Sequence, residues 1–123
     1  MNITSFNPLI LTKNLEETVK FFEALGFEKC HEMKEVTDTG VTNIDMKDAS
    51  GFRLDIAGPV GLIPQDQVII RMNVSDFDEA YEMLTKRGFT NNRNGKPVEH
   101  ESSKSIMMVS PSGFAFDLCQ HIK

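Results

Sequence analysis

The sequence contains no tryptophan, one tyrosine, three histidines and only two cysteines in 123 residues. The cysteines, Cys30 and Cys119, lie far apart and in no metal-like spacing, which excludes a disulfide framework and a structural zinc cluster. They read as free thiols packed in the core, in a reducing cytoplasm. Basic charge is also short: 13 Lys and Arg face 18 Asp and Glu, giving a net charge of -5 and a pI near 5.1. That balance argues against nucleic acid or an anionic membrane as partner, because both select basic patches. No apolar run approaches bilayer-spanning length, and "MNITSFNPLI" lacks a basic region leading into an apolar one. Neither a membrane span nor a signal peptide is therefore expected. No nucleophile–base pair or phosphate loop is visible. What remains, 40% hydrophobic and 25% charged residues, is the balance of one globular domain.

What the chain does have is a repeat. "DASGFRLDIAG" near the middle is echoed by "SPSGFAFDLCQ" at the end, and Asp55 and Asp117 stand 62 positions apart. The same offset carries Gly26 to Gly88, Phe27 to Phe89, and Asn14-Leu15-Glu16-Glu17 to Asp76-Phe77-Asp78-Glu79. Each unit opens on a β-branched run, "FNPLILT" or "QVIIRMNV", that reads as a strand. A helix follows, with Asn14 or Asp76 as N-cap and Glu17 or Glu79 at capping-box spacing. Leu15, Val19, Phe22 and Leu25 form one apolar stripe, and Phe77, Ala80, Tyr81 and Leu84 the other. Gly26 and Gly88 are placed to end these helices in the left-handed conformation, each followed by a phenylalanine.

Three strands follow each helix. In the first unit they are read as Phe27–Val36, Val41–Met46 and Phe52–Ile56, with turns at "TDTG" and "DASG". In the second they are a weak strand near Val98, then "SIMMVS" and "FAFDLCQ". "TNNRNGKPVEHESSK" reads as a mobile loop over one face, with residues 91–104 as a potential lid. The fold class is thus α+β: tandem βαβββ modules, residues 1–60 and 66–123 joined by a short linker, forming curved mixed sheets around a cavity.

Strand alternation sorts the side chains. Phe52, Leu54 and Ile56, like Phe114, Phe116 and Leu118, are assigned to the helix-packed cores, with Ile70, Met72 and Val74. Asp55 and Asp117 then point to the opposite faces. Those faces mix apolar groups with Asn7, Arg53, Asp55, Arg71, Asn73 and Asp117, as small-molecule sites do. Leu9 shares them, and one of Met107 and Met108 must also turn that way.

The pattern resembles the vicinal oxygen chelate superfamily of glyoxalases, bleomycin resistance proteins and extradiol dioxygenases. "NLEETVKFFEALGF" is similar to that family's opening helix, and "SPSGFAFDL" to its Asp-Pro-(Asp/Ser)-Gly-aromatic-x-apolar-Glu-apolar ending. The resemblance implies paired βαβββ modules and homodimers. In metal-dependent members each module gives a ligand from its first strand, usually His, and one from its last, usually Glu. By position these fall on Asn7 and Ile69, and on Asp55 and Asp117. The metal candidates are therefore Asn7, Asp55 and Asp117, a set better suited to Mg²⁺ or Mn²⁺ than to Zn²⁺. His31, His100 and His121 fall at none of these places; His100 is read in the loop and His121 in a frayed C-terminus. With the histidines missing, the two acids read first as solvated or paired with Arg53 or Arg71. Arg71 could equally clamp an anion.

Two functions follow. The first is a small-molecule-binding protein of the bleomycin resistance type that sequesters an organic, potentially cationic, ligand. The alternative is a divalent-metal-dependent lyase, isomerase or dioxygenase that uses Asp55 and Asp117. Both are expected as cytoplasmic homodimers.

Overall fold

The computed structural model describes residues 1–33, 40–61, 63–92, 94–100 and 103–121. In order come β1 (Ile3–Leu11), α1 (Leu15–Ala24), β2 (Glu28–Met33), β3 (Thr42–Lys47), β4 (Arg53–Gly58) and β5 (Gln67–Val74). Then follow α2 (Phe77–Lys86), β6 (Val98–His100), β7 (Ser103–Val109) and β8 (Ala115–His121). The chain divides into two compact units, Asn7–Val68 and Met1–Phe6 with Ile69–Lys123. The first six residues thus belong with the second unit. No helix among the described residues is long and apolar enough to cross a membrane.

In the unit Asn7–Val68 the strands lie in the order β2-β3-β4-β1, and in the other unit β5-β8-β7-β6. The repeat is written into their register. Leu9, Ile10 and Leu11 pair in parallel with Asp55, Ile56 and Ala57; Arg71, Met72 and Asn73 pair in parallel with Asp117, Leu118 and Cys119. Thr42–Lys47 runs antiparallel to Arg53–Gly58, as Lys104–Val109 does to Ala115–Gln120. Every partner in the second pairing is the first displaced by 62 residues. Glu28 opposite Lys47 likewise recurs as the bridge between Thr90 and Val109. The offset then breaks: Met33 faces Asn43, but Val98 faces Ser105, so the second unit carries three extra residues before β6.

Each core is sheet against helix. Val19, Ile44, Met46, Leu54 and Ile56 are buried together in the first unit, with Leu15, Phe22 and Phe27 packed against them. Met72, Val74, Phe77, Ala80, Leu84, Ile106, Met108 and Leu118 form the second, with Tyr81, Phe89 and Phe116 against them. A fully buried side chain such as Met46 or Ile56 stabilises its unit by about 2 kcal/mol. Both helices end as their sequence requires. Gly26 and Gly88 take φ of 105° and 93°, and the Phe27 and Phe89 amides donate to the carbonyls of Phe22 and Leu84. The Phe22 and Phe27 rings meet edge to face at 5.7 Å, closing that end.

Some expectations need correction. Asp76 caps α2 through Oδ1, which accepts from the Glu79 amide at 3.1 Å, but the Asn14 side chain makes no cap bond. Instead the Thr12 hydroxyl accepts from the Asn14 amide and donates to Asp66 Oδ2 at 2.7 Å. Phe52 and Phe114 are not core residues: they are 70% and 56% exposed. Asp48 Oδ1 accepts from the Phe52 amide and Ser110 Oγ from the Phe114 amide, so each phenylalanine still belongs to its turn. Leu25 leaves the stripe because it is the C-cap beyond the last helical residue, and its equivalent, Arg87, is exposed too. Cys30 is exposed on β2 rather than packed in a core. His121 ends β8 opposite Ser103 rather than fraying.

Residues 91–104 are not simply a loop. Asn91 donates to the Tyr81 hydroxyl and accepts from the Gly95 amide, and Val98–His100 pairs with β7. Arg93, Glu101 and Ser102 of that segment lie outside the described residues, as do strand residues 34–36 and turn residues 37–39.

Candidate functional site

The expected site residues fall on both units: Asn7, Leu9, Arg53 and Asp55 on one, Arg71, Asn73 and Asp117 on the other. In each unit they occupy the strand face turned away from the helix, since Met72, Val74 and Leu118, or Ile56, fill the other.

In the second unit this face holds an ion pair. Arg71 on β5 and Asp117 on β8 are register partners, and Arg71 Nε donates to Asp117 Oδ2 at 2.8 Å. Both side chains are 14% exposed, so water screens the pair less than it would on the surface. The same oxygen accepts a bond from the Cys119 thiol at 3.3 Å. Alternation makes this possible, because Asp117 and Cys119 are two apart on one strand and share a face. Asn73, beside Cys119 in the register, donates through Nδ2 to Ser5 Oγ at 2.6 Å. Its Oδ1 is buried and has no hydrogen-bond partner among the described residues. Met107, opposite Asp117 on β7, is 37% exposed, whereas Met108 is buried in the core.

The first unit repeats the positions with different chemistry. Leu9 stands beside Asp55 where Arg71 stands beside Asp117. Asp45 faces Asp55 directly across β3 and β4, where the other unit has Met107. Asp55 is only 7% exposed, and like charges in facing positions are a cost unless something offsets them. Both acids make further contacts. Asn7 is half-buried, its amide nitrogen donating to the Pro8 carbonyl at 3.0 Å. Arg53 is exposed at the start of β4, opposite Lys47.

The structure thus brings Leu9 to Asp55 and Arg71 to Asp117. Alternation from the sequence puts Cys119 on the face of Asp117, though as a packing residue rather than a donor; Ser5 and Asp45 are the members that sequence reasoning missed. For Asp45 the signal was available, because it lies 62 residues before Met107.

The positions of the second unit do not fit a resident divalent ion. Among the described residues no three of His, Cys, Asp and Glu come together as a ligand set. At the second first-strand position stands Ile69, buried and without a donor atom. Asp117 already has a guanidinium and a thiol on one oxygen, and an ion there would have to compete with Arg71.

Two βαβββ units with parallel first and last strands define an α+β protein of the paired-module class. The protein has the vicinal oxygen chelate fold. A methylmalonyl-CoA epimerase from Mycobacterium tuberculosis is similar at TM-score 0.73 and 15% identity, over 97% of this chain and 89% of that one. The Streptomyces coelicolor methylmalonyl-CoA epimerase, solved with 2-nitronate-propionyl-CoA, is similar at TM-score 0.72 and 19% identity, over 99% and 100%. A glyoxalase/bleomycin resistance protein/dioxygenase superfamily member from Vibrio splendidus is similar at TM-score 0.62 and 18% identity, over 98% and 100%. No protein-family model and no curated protein matches the sequence.

Proposed function

We propose that this chain is a small-molecule-binding protein of the glyoxalase/bleomycin resistance type. It sequesters an organic ligand on the strand faces turned away from its helices, without a catalytic metal. The observation that carries this reading is the Arg71–Asp117 pair at 2.8 Å, reinforced by Cys119. In the resemblance, Asp117 stands where relatives place a metal ligand; here a cation from the protein itself occupies the carboxylate. Asn7, Leu9, Arg53 and Asp55 in one unit, and Arg71, Asn73 and Asp117 in the other, offer the mixture of apolar and directional polar groups that organic ligands use.

A screen by thermal shift and calorimetry tests it, with cationic antibiotics, aromatic acids, thiol adducts and a CoA thioester as probes. A ligand at a hundred times its Kd should stabilise the protein by about 2.7 kcal/mol. No stabilisation across the panel sinks the reading. The chain is read as a cytoplasmic homodimer, and sedimentation at micromolar concentration tests the dimer.

A second reading, a metal-assisted lyase, isomerase or dioxygenase, draws on the facing carboxylates Asp45 and Asp55. Metal analysis of protein purified without chelator tests it: a stoichiometric Mg²⁺ or Mn²⁺ lost in Asp55→Ala would support it, and metal-free protein would end it.

A further inference from the structure

The turn before β6 contains the chain's one Asn-Gly step, Asn94-Gly95. Its backbone favours that pair. Asn94 has φ of 54° and Gly95 of 77°, the left-handed region that asparagine and glycine enter most easily. A Cβ on Gly95 would also lie 3.0 Å from the Tyr81 hydroxyl oxygen. The same pair is chemically unstable, because a glycine nitrogen has no side chain beside it to shield it from the preceding side-chain amide. Gly95 N can bond to Asn94 Cγ; the Asn94 side-chain nitrogen leaves as ammonia with the proton that Gly95 gives up, and a succinimide ring remains. Water then opens the ring to aspartate or isoaspartate. Asn94 is exposed, so water reaches it. A hydrogen bond stands in the way. The Gly95 amide donates to Asn91 Oδ1 at 2.9 Å, and Asn91 Nδ2 donates to the Tyr81 hydroxyl at 3.2 Å. Tyr81 is packed against the second core, so the acceptor is anchored to α2. An N–H held in this way keeps the proton that the nitrogen must lose to attack.

We propose that Asn94-Gly95 is a site of spontaneous deamidation, controlled by the hold of Asn91 and Tyr81 on the attacking nitrogen. Conversion adds one negative charge, beside Lys96, to a net charge of -5. The isoaspartyl product also adds one carbon to the main chain just before Val98–His100, the three-residue strand that pairs with β7. An added backbone atom there works against the register that the turn sets up. The reaction consumes only water, and it is independent of what the protein binds.

The test is peptide mapping by mass spectrometry of the full chain aged in mildly alkaline buffer. Conversion at Asn94 should be slower in the native protein than in guanidinium, by about fivefold or more. Asn91→Ala should convert about fivefold faster than native wild type, the worth of one hydrogen bond. Asn91 makes a further contact, so Asn91→Asp isolates the acceptor. Its carboxylate can accept from both the Gly95 amide and the Tyr81 hydroxyl, and its rate should stay near that of wild type. In guanidinium the wild type and both variants should react alike. Asn94→Gln, whose longer side chain must close a larger ring, should lose the product under all conditions. The wild-type comparison of native and denatured protein stands whether or not the variants fold. Equal wild-type rates in the two states overturn the control by the fold. Equal native rates in wild type and Asn91→Ala overturn the role of Asn91, and deamidation that spares Asn94 overturns the site.

Discussion

Arg71 reaches across from β5 to hold the carboxylate of Asp117 at 2.8 Å, and the equivalent residue beside Asp55 is Leu9. The repeat keeps the register of its first, third and last strands and keeps the acid twice, but sets an arginine beside one copy and a leucine beside the other. The two faces have diverged in chemistry on one scaffold.

Removing one partner of the pair should cost more than removing both. Arg71→Leu leaves a largely buried carboxylate without its guanidinium, and should destabilise by about 3 kcal/mol. The double variant Arg71→Leu/Asp117→Leu should recover most of that loss. Urea denaturation of both single variants and the double closes the cycle; additive losses would show that the pair is not coupled.

The helix ends give a graded prediction. Gly26→Ala and Gly88→Ala both place a Cβ at positive φ, costing about 1 kcal/mol each. At Gly88 the new Cβ would also lie 3.0 Å from Pro111 Cγ, whereas at Gly26 nothing lies within 4 Å. Gly88→Ala should therefore have the lower Tm. Equal melting temperatures would contradict the packing seen at Pro111.

Thr12 is a fully buried hydroxyl that joins Asp66, Thr18 and the Asn14 amide. Thr12→Val keeps the shape and loses all of these bonds, leaving partners unmatched at a cost of about 2 kcal/mol. Thr12→Ser should retain most of the stability. Chemical denaturation distinguishes the two, and a larger loss in Thr12→Ser than in Thr12→Val would place the effect on the methyl group instead.

The thiols should react in two steps. Cys30 is exposed, while Cys119 is buried and bonded to Asp117. Mass spectrometry after treatment with N-ethylmaleimide should find one adduct in the native protein and two in guanidinium. Two adducts at comparable rates in the native state would contradict the burial of Cys119.

The sequence carried the architecture because its repeat is gapless over most of each unit, so one offset aligned caps, stripes and strands together. It failed where side chains of the turn decide the strand's first residue. Alternation from Leu54 and Phe116 puts Phe52 and Phe114 on the core side, but Asp48 and Ser110 hold their amides in the turns. Nor could a cap preference show that Thr12 would serve the Asn14 amide. The site was half legible. Arg71 was one of two arginines offered to the acids, and only cross-strand register selects it for Asp117. Alternation already put Cys119 on the face of Asp117, but a cysteine reads as a packing residue, and only the structure shows its thiol donating to that carboxylate. The extra residues before β6 lay in a polar stretch where no offset could be traced.

Asp117 Oδ2 is held by the Arg71 guanidinium and the Cys119 thiol, so a metal would have to compete with both for it. Titrating chelator-treated protein with Mn²⁺ while following backbone amides by NMR tests it most directly. At one equivalent of Mn²⁺, the Arg71, Asp117 and Cys119 signals should broaden no more than those of exposed acids such as Asp78 and Glu82. Selective loss of the Arg71, Asp117 and Cys119 signals, or of those around Asp55, would show a metal bound at these carboxylates and contradict a metal-free binding face.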